Sequence, residues 1–296
     1  MLFVDGIGIG EADAEKNPFI KNGFKTFTEI WGEIPHLKNS YLVKNNFYLF
    51  PVDASLGVEG LPQSGTGQTA LFCGVNASAL IGKHFGPFPY SSLIPVIRDK
   101  NIFVELKRIK KKVCFANAYP KIFFDYLKKG KSRLSVTSLS ARFSGMKLNT
   151  VTDVRRGKAL TAEITNLRWN KKLGYKLKVI KASTAARRLL RIAAQNHFTL
   201  YEYFLTDHLG HGRVQDEASY IFSTLDDFLL TIFKEADYKT TTVMLCSDHG
   251  NLEDLSVKSH TLNPALGIAA GKFAERIAEN VKNISQFKSE IIRILK

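Results

Sequence analysis

The sequence of 296 residues predicts an α/β fold, an α/β/α sandwich in which helices cover both faces of a largely parallel central sheet. Short apolar runs typical of buried strands alternate along the chain with longer segments that have apolar residues at helical spacing. Three of the strand-like runs end close to an Asp, where a loop is predicted to begin. Hydrophobic residues make up 45% of the chain, which is enough to form a sizeable core.

The predicted strands are short and apolar, and the segments between them are suited to helices. The strands are predicted at residues 2–4, 48–52, 199–206 and 240–246. The helices are predicted at residues 64–74, 184–195, 215–235 and most of 269–296. Because strands and helices alternate, consecutive strands are expected to lie parallel in the sheet.

Positive charge is concentrated in one part of the chain. The 42 Lys and Arg and 27 Asp and Glu residues give a net charge of +15. From Arg98 to Lys181 there are 23 basic and 5 acidic residues, a net charge of +18, and the remainder holds 19 and 22, a net charge of −3. We therefore predict a core formed by residues 1–98 plus 184–296 and a basic, cap-like inserted subdomain at 99–183. Short strands are predicted within it at 134–137, 159–164 and 175–180.

The termini and the cysteines indicate the compartment. The N-terminus has neither the basic lead nor the apolar segment of a signal peptide, and no apolar run is long enough for a transmembrane helix. Cys73, Cys114 and Cys246 are scattered and match no paired-cysteine motif, which argues against disulfide bonds. A cytoplasmic protein without a membrane partner is expected.

Acidic and imidazole side chains cluster at the predicted strand ends. The candidate metal ligands are Asp5, Asp207, His211, Asp248, His249 and His260. Because ligands bind beyond the carboxyl ends of the strands in open α/β sheets, these side chains are expected to converge. Carboxylates and imidazoles suit zinc, manganese or iron, and three of each would supply three ligands to each of two ions. His208 is expected on an extended segment, pointing away from Asp207.

Ser64 and Thr66 lie at the start of the segment 64–74, where a loop leads into the predicted helix, and offer hydroxyl groups to the same site. The start of a helix also presents backbone N–H groups to an anion. A hydroxyl beside two metal ions loses its proton far more readily than in water and becomes a nucleophile. On this reasoning alone, either hydroxyl fits the nucleophilic role.

With these residues the chain resembles the alkaline phosphatase superfamily of two-metal enzymes, most closely its branch of cofactor-independent phosphoglycerate mutases and phosphopentomutases. Four motifs carry the resemblance: Asp5–Gly8, Thr206–His211, Ser247–Glu253 and His260–Pro264. They occur in the expected order and at the predicted strand ends. The resemblance covers about residues 1–95 and 185–270.

The resemblance implies an alkaline phosphatase-like fold and a ligand set for each of two zinc or manganese ions. One ion would be held by Asp207, His211 and His260, and the other by Asp5, Asp248, His249 and the Ser64 oxygen. Ser64 lies ten residues before Gly74 and three before Gly67, as the nucleophilic Ser does in the mutases, with Thr66 as the alternative. The implied reaction is attack on a phosphoryl centre, giving a phospho-enzyme, and transfer to water or a second hydroxyl.

Basic residues of the predicted subdomain are candidates for binding an anionic substrate, since Arg grips phosphate oxygens in a bidentate manner. The candidates are Arg142, Arg155 and Arg156, with Lys147 and Lys158 beside them. The subdomain is much shorter than the inserted domain of the larger mutases and does not align with it. The prediction is therefore limited to a small phosphate ester as substrate.

Two other functions remain as alternatives. The basic segment, with Lys110–Lys112 and nearby aromatic residues, is compatible with nucleic-acid binding, although the chain has no nucleic-acid-binding motif. A non-catalytic member of the superfamily would keep a structural metal, but such a site needs only one closed ligand set. Nucleic acid is therefore disfavoured as the main partner, and the oligomeric state is left open.

Overall fold

The structure, a computed structural model, describes residues 1–130 and 133–296. Its strands are β1 (Leu2–Val4), β2 (Leu42–Lys44), β3 (Phe47–Val52), β4 (Val113–Phe115), β5 (Asn117–Ala118), β6 (Leu160–Thr161), β7 (Phe198–Tyr203), β8 (Val243–Cys246) and β9 (Ala265–Ala270). Its first helices are α1 (Pro18–Asn22), α2 (Lys25–Ile30), α3 (Ser64–Cys73), α4 (Ala77–Ile81), α5 (Ile94–Lys100), α6 (Ile102–Arg108), α7 (Lys121–Lys128) and α8 (Val136–Phe143). The others are α9 (Val151–Arg155), α10 (Leu167–Leu173), α11 (Ala182–Ala193), α12 (Leu205–Gly210), α13 (Ala218–Glu235), α14 (Ala274–Asn280) and α15 (Phe287–Leu295). Short 3₁₀ turns lie at Ser91–Leu93, Gln215–Glu217 and Ile284–Gln286.

Seven strands form one central sheet in the order β2-β3-β9-β8-β1-β7-β4. The strands β8, β1, β7 and β4 are successively parallel, whereas β9 is antiparallel to both β8 and β3, and β2 is antiparallel to β3. Five of the seven strands therefore run in the same direction. This confirms the predicted α/β fold with a largely parallel central sheet.

Helices cover both faces of the sheet because successive strand residues point to opposite faces. In β1, Leu2 and Val4 join a core shared with α2, α11 and α13, whereas Phe3 joins a second core shared with α3, α14 and α15. Burying each such side chain stabilises the fold by about 1.5–3 kcal/mol, so both layers hold the sheet in place. None of the helices within residues 1–130 and 133–296 is long and apolar enough to cross a membrane.

Most of residues 269–296 is helical, as predicted, but strand β9, which ends within the first two of these residues, was not predicted. It pairs antiparallel with β3 and β8, and its residues alternate between the two cores, Ile268 on one side and Ala269 on the other. Gly267 is required at its centre, because a Cβ there would lie 2.6 Å from the Phe50 ring of β3. Burial between two strands thus outweighs the helix propensity of alanine.

The predicted inserted subdomain at 99–183 is partly built into the core. Strand β4 extends the central sheet by pairing with β7, and α6 and α8 contribute Phe103 and Leu139 to the core of α3, α14 and α15. The boundary at residue 99 stays a prediction. The predicted strand at 134–137 is instead the start of α8, and residues 175–180, all of them described, form neither helix nor strand. Residues 131 and 132 of the predicted subdomain lie outside the described part of the chain.

A smaller unit does stand apart from the central sheet. The strands β5 and β6 form a separate two-stranded parallel sheet, and a compact cluster of buried side chains packs around it: Ala118, Val154, Ala159, Trp169 and Leu177. This cluster is distinct from the two large cores that cover the central sheet. We propose that the independent basic unit is limited to the residues around this small sheet.

Candidate metal centre and nucleophile

The predicted metal ligands come together at the carboxyl edge of the central sheet. They lie on the segments that follow β1, β7 and β8, three neighbouring parallel strands: Asp5, Asp207, His211, Asp248, His249 and His260. Within the described residues they form two groups of three, and in each group one ligand atom per residue lies within 4.8 Å of the others. The Asp and His residues of each group are those of one of the two ligand sets that the family resemblance implies.

The first group, called here the Ser64 cluster, consists of Asp5, Asp248 and His249 together with Ser64. The His249 Nε2 atom lies 3.1 Å from Ser64 Oγ, 3.4 Å from Asp5 Oδ1 and 3.6 Å from Asp248 Oδ2. All four side chains are buried. Since Ser64 is the first residue of α3, its hydroxyl stands at the positive end of that helix.

The loop after β1 is held close to α12, which brings the two groups together. The Asp5 N–H donates to the Tyr203 carbonyl at 2.9 Å, and the Thr206 hydroxyl donates to the Asp5 carbonyl at 2.5 Å. Gly6 has a φ of +67°, and a Cβ on it would lie 3.0 Å from the Asp207 Cβ. A side chain at position 6 would therefore strain the backbone and push the two segments apart.

The second group, called here the Asp207 cluster, consists of Asp207, His211 and His260. The Asp207 Oδ1 atom lies 3.3 Å from His211 Nε2 and 3.4 Å from His260 Nε2. The rings of His260 and His249 stack with their centroids 3.7 Å apart, which links this group to the Ser64 cluster. The six predicted ligands thus form one continuous centre.

A helix, and not the predicted extended segment, places Asp207 and His211. The strand expected to run through residue 206 ends at Tyr203, and α12 follows from Leu205 to Gly210. Residues four apart lie on one face of a helix, so Asp207 and His211 face the same ion site. His208 also belongs to α12 and not to a strand. Its ring centroid lies 5.3 Å from that of Phe204.

The hydrogen bonds of the Asp207 cluster leave room for a cation. The Nδ1 atoms of His211 and His260 lie 2.7 Å and 2.6 Å from the carbonyls of Lys258 and Pro62. A carbonyl only accepts, so each Nδ1 carries the proton and each neutral ring directs an Nε2 lone pair inward. The two Nε2 atoms are 3.1 Å apart and both face the Asp207 carboxylate. Three converging acceptors require a cation or an extra proton between them.

The pKa values in the Asp207 cluster reflect the same arrangement. Burial opposes ionisation of Asp207, but the hydrogen bond from His260 and the nearby His249 and His211 outweigh it and hold the pKa of Asp207 below its ordinary value. Burial likewise lowers the pKa of His260, yet its contacts with Asp207 and the Pro62 carbonyl raise that pKa above the ordinary value overall. Both shifts favour a positive charge between the imidazoles and the Asp207 carboxylate.

Unpaired oxygens indicate a second ion site in the Ser64 cluster. The Oδ1 atom of Asp5 and the Oδ2 atom of Asp248 are buried without a hydrogen-bond partner within the described residues. Burial, followed by the charges of Asp248 and Asp207, holds the pKa of Asp5 well above its ordinary value. Two buried carboxylates side by side are costly unless a cation compensates them, so these residues fit a divalent ion.

Two buried residues that were not among the predicted site residues support the ligands. Asn251 donates from Nδ2 to Asp207 Oδ1 at 2.8 Å, and the Glu253 carboxylate accepts from the N–H groups of Gly8 and Asn251, both at 2.8 Å. Both follow Asp248 and His249 in the sequence, inside one of the four family motifs. The signal that could have identified Asn251 and Glu253 is that they are polar residues in an otherwise buried segment, where polar groups need hydrogen-bond partners.

A buried carboxyl group on β7, that of Glu202, also lies beside the centre. It accepts a hydrogen bond from the Thr137 hydroxyl of α8 at 2.8 Å. Burial raises the pKa of Glu202 to about 7; the Thr137 hydrogen bond lowers it and the charge of Asp248 raises it further. No motif surrounds Glu202 in the sequence, and it lies in a run of strand-forming residues, so only the fold identifies it.

We expect Glu202 to make the stability of the metal-free protein depend on pH. Because its pKa is raised in the folded chain, the free energy of unfolding falls as the pH rises from about 4.5 to about 7 and stays lower above that range. Glu202→Gln should match the wild type at pH 5 and exceed it at pH 8 by roughly 3 kcal/mol. Urea denaturation at both pH values measures the difference, and an equal difference at both would contradict the assignment.

The structure distinguishes the two candidate nucleophiles by their neighbours. Ser64 Oγ lies 3.1 Å from His249 Nε2, within the Ser64 cluster. The Thr66 hydroxyl instead donates to the Gln63 carbonyl at 3.2 Å and accepts from the Phe85 N–H at 3.2 Å. Thr66 therefore anchors a neighbouring loop, and the position of Ser64 favours it as the nucleophile.

The predicted substrate-binding arginines lie on α8 and at the end of α9. Arg142 lies on α8, Arg155 ends α9, and Arg156 follows it; all three side chains are exposed. Within residues 1–130 and 133–296, no hydrogen bond or ion pair joins them to the metal-ligand candidates. The turn after Arg156 contacts α11, where Arg191 donates to the Gly157 carbonyl at 3.1 Å. Substrate binding by these arginines remains only a prediction.

Comparison with known proteins places this geometry in a family. The family described as the metalloenzyme superfamily matches residues 1–292. The chain matches none of the curated proteins with which it was compared. Its structure is similar to that of the PH0037 protein from Pyrococcus horikoshii, with a TM-score of 0.51 and 14% identity, covering 99% of this chain and 94% of that one. This likeness shows a shared fold.

Two further solved structures have lower scores. An alkaline phosphatase from the Antarctic bacterium TAB5 has a TM-score of 0.49 and 14% identity over 99% of this chain and 97% of that chain. A phosphoglycerate mutase from Leishmania mexicana has a TM-score of 0.41 and 13% identity over 66% of this chain and 37% of that chain.

Proposed function

Since this chain belongs to the metalloenzyme superfamily, as its sequence motifs predict, we propose that it is a two-metal phosphoryl-transfer enzyme acting through Ser64. The substrate class would be a small anionic phosphate ester. The reaction would be that of a phosphatase or a phosphomutase. A cytoplasmic location and a zinc or manganese pair belong to the same proposal.

A single observation carries this proposal: a hydroxyl stands within one of two adjacent ligand sets. Ser64 Oγ lies 3.1 Å from His249 Nε2, whose ring stacks on His260 of the other set. The carboxylates and imidazoles of both sets suit zinc and manganese. A purely structural ion would need one closed ligand set and no hydroxyl, so the arrangement supports catalysis over the non-catalytic alternative.

In the first half of the proposed reaction, Ser64 and the start of α3 would have different roles. Bound divalent ions would supply the positive charge that lowers the pKa of the Ser64 hydroxyl and polarises the phosphoryl oxygens. The Ser64 oxygen would form a bond to phosphorus while the bond to the leaving oxygen breaks, giving a phosphoserine. Within the described residues the N–H groups of Ser64 and Gly65 have no backbone acceptor, so the start of α3 is free to donate to the phosphoryl group.

The second half of the reaction would regenerate Ser64. A water molecule, or another hydroxyl of the substrate, would attack the phosphoserine and displace the Ser64 oxygen. The first acceptor gives a phosphatase and the second a mutase. The His211 and His260 rings, held by the carbonyls of Lys258 and Pro62, would keep the Asp207 ligand set in place throughout.

The proposal is tested by activity and metal content together. We expect the purified protein to bind two zinc or manganese ions per chain by elemental analysis and to hydrolyse 4-nitrophenyl phosphate. Removing the ions with a chelator should abolish hydrolysis, and adding either metal should restore it, because both ligand sets are then refilled. Absence of hydrolysis with both metals, across phosphate and sulfate esters, would refute the proposed activity.

A further inference from the structure

A cavity of about 510 Å³ is lined in part by Gly86, which lies against the start of α3: a Cβ on Gly86 would be 3.2 Å from the backbone nitrogen of Ser64, the proposed nucleophile. One wall is the aromatic segment Phe85–Tyr90, and the other includes Leu134 and Leu139, with Arg133 at the edge. We infer that this cavity binds the leaving group of the ester, and that this group is a planar aromatic ring bearing a further negative charge. The inference rests on the proposed function and specifies its substrate class.

The aromatic segment is attached to the nucleophile helix by backbone contacts. The Phe85 carbonyl accepts from the Thr66 N–H at 2.9 Å, and the Phe85 N–H donates to the Thr66 hydroxyl at 3.2 Å. A Cβ on Gly65 would lie only 2.2 Å from the Phe88 carbonyl oxygen, so the segment lies directly on the first turn of α3. Because Ser64 begins that turn, the cavity wall and the reacting hydroxyl keep a constant relative position.

The side chains of the cavity suit a flat ring. Phe85 and Tyr90 pack edge-to-face with centroids 5.0 Å apart, while Phe88 and Tyr90 are each 38% exposed. The opposite wall presents the apolar side chains of Leu134 and Leu139. Exposed aromatic rings opposite an apolar wall gain free energy by burying another ring between them, through apolar contact and ring stacking.

The charge of the cavity favours an anionic ligand. The Lys83 ammonium lies 5.5 Å from the Tyr90 ring centroid and 5.9 Å from that of Phe85. Neither Lys83 nor Arg133 forms an ion pair with a carboxylate in the part of the chain that the structure describes. No Asp or Glu lines the cavity among those residues. Arg133 in the lining, with Lys83 beside the aromatic wall, complements a ligand that carries a carboxylate or second phosphate.

The test compares three phosphate esters: 4-carboxyphenyl phosphate, phenyl phosphate and ethyl phosphate. For each ester kcat/KM is measured in the wild type, Phe88→Ala, Arg133→Gln and the control Arg108→Gln, an exposed arginine that does not line the cavity. Comparing variants on one ester cancels its intrinsic reactivity. Phe88→Ala should lower kcat/KM about 3- to 10-fold for both aryl esters and leave ethyl phosphate unchanged.

The second variant isolates the charge. Arg133→Gln should lower kcat/KM several-fold for 4-carboxyphenyl phosphate alone, and Arg108→Gln should change none of the three values. Equal losses on aryl and ethyl esters in Phe88→Ala would overturn the aromatic assignment. Equal losses on both aryl esters in Arg133→Gln, or no loss at all, would overturn the anionic one.

A binding experiment separates failure of this inference from failure of the proposed function. The released group, 4-hydroxybenzoate, is titrated into the metal-loaded protein and its saturable binding is followed by NMR or calorimetry. Binding that is weakened by Phe88→Ala and by Arg133→Gln, but not by Arg108→Gln, supports the cavity even if no ester is hydrolysed. Absence of binding to the wild type overturns the inference even if phosphatase activity is present.

Discussion

Replacement of Ser64 by Ala is expected to lower kcat for an aryl phosphate by on the order of 10⁴-fold or more, since it removes the group that accepts the phosphoryl. Two metal ions should remain bound, because Asp5, Asp248 and His249 still supply three ligands to the Ser64 cluster. The measurements are steady-state kinetics and elemental analysis of the same preparation. In the wild type, acid quenching during turnover followed by mass spectrometry should locate a phosphate on Ser64.

Thr66→Ala is the matched control, because it removes the hydroxyl of the alternative nucleophile two residues away. We expect it to weaken the attachment of Phe85 to α3 but to keep kcat within about tenfold of the wild type. If Thr66→Ala abolished turnover while Ser64→Ala did not, the nucleophile would be Thr66. If both variants kept full activity, a covalent phosphoserine would be excluded.

Removal of one carboxylate from each ligand set is expected to remove one ion. Asp207→Asn should leave a single ion per chain, held by the Ser64 cluster, and Asp248→Asn should leave one ion in the Asp207 cluster. Losing even a group that supports a ligand lowers metal affinity about 10- to 100-fold, so losing the ligand itself should lower it by at least about 100-fold. Turnover should fall when either ion is lost, since the proposed reaction needs both ions.

Elemental analysis after gel filtration measures the stoichiometry, and calorimetric titration of the metal-free protein measures the affinity. Asp254→Asn is a suitable control, because Asp254 lies on the same loop but its carboxylate accepts from Ser256. It should keep both ions. Two bound ions in both Asp207→Asn and Asp248→Asn would show that the metal sites lie elsewhere.

The candidate centre was largely predictable because its ligand residues lie in short local sequence motifs at the ends of strands. Asp5, Asp207 and Asp248 each follow an apolar strand or the short turn after it, and a Gly or His lies within four residues of each. The pattern survives an error in secondary structure: α12 replaces the predicted extended end at Asp207, yet the residue still lies at the same edge of the sheet. Local spacing is enough when a parallel sheet collects its loops at one edge.

Other features depend on partners far away in the chain. In the sequence, Glu202 is only a polar residue in a strand. Its raised pKa depends on burial and on Thr137 and Asp248, which are 65 and 46 positions away. The aromatic cavity needs Leu134 opposite Phe88. Arg142, Arg155 and Arg156 carry the right charge for a phosphate, but a charge pattern says nothing about which side of the molecule it occupies.

By itself, the sequence determined the α/β class, the six ligand candidates and the hydroxyls beside them. Strand periodicity, loop residues and side-chain chemistry are local properties, and the chain displays them directly. Tertiary structure alone decided that β4 and β9 belong to the central sheet. These are questions of pairing: β4 directly follows the lysine run Lys110–Lys112, and only its hydrogen bonds to β7 make it part of the core.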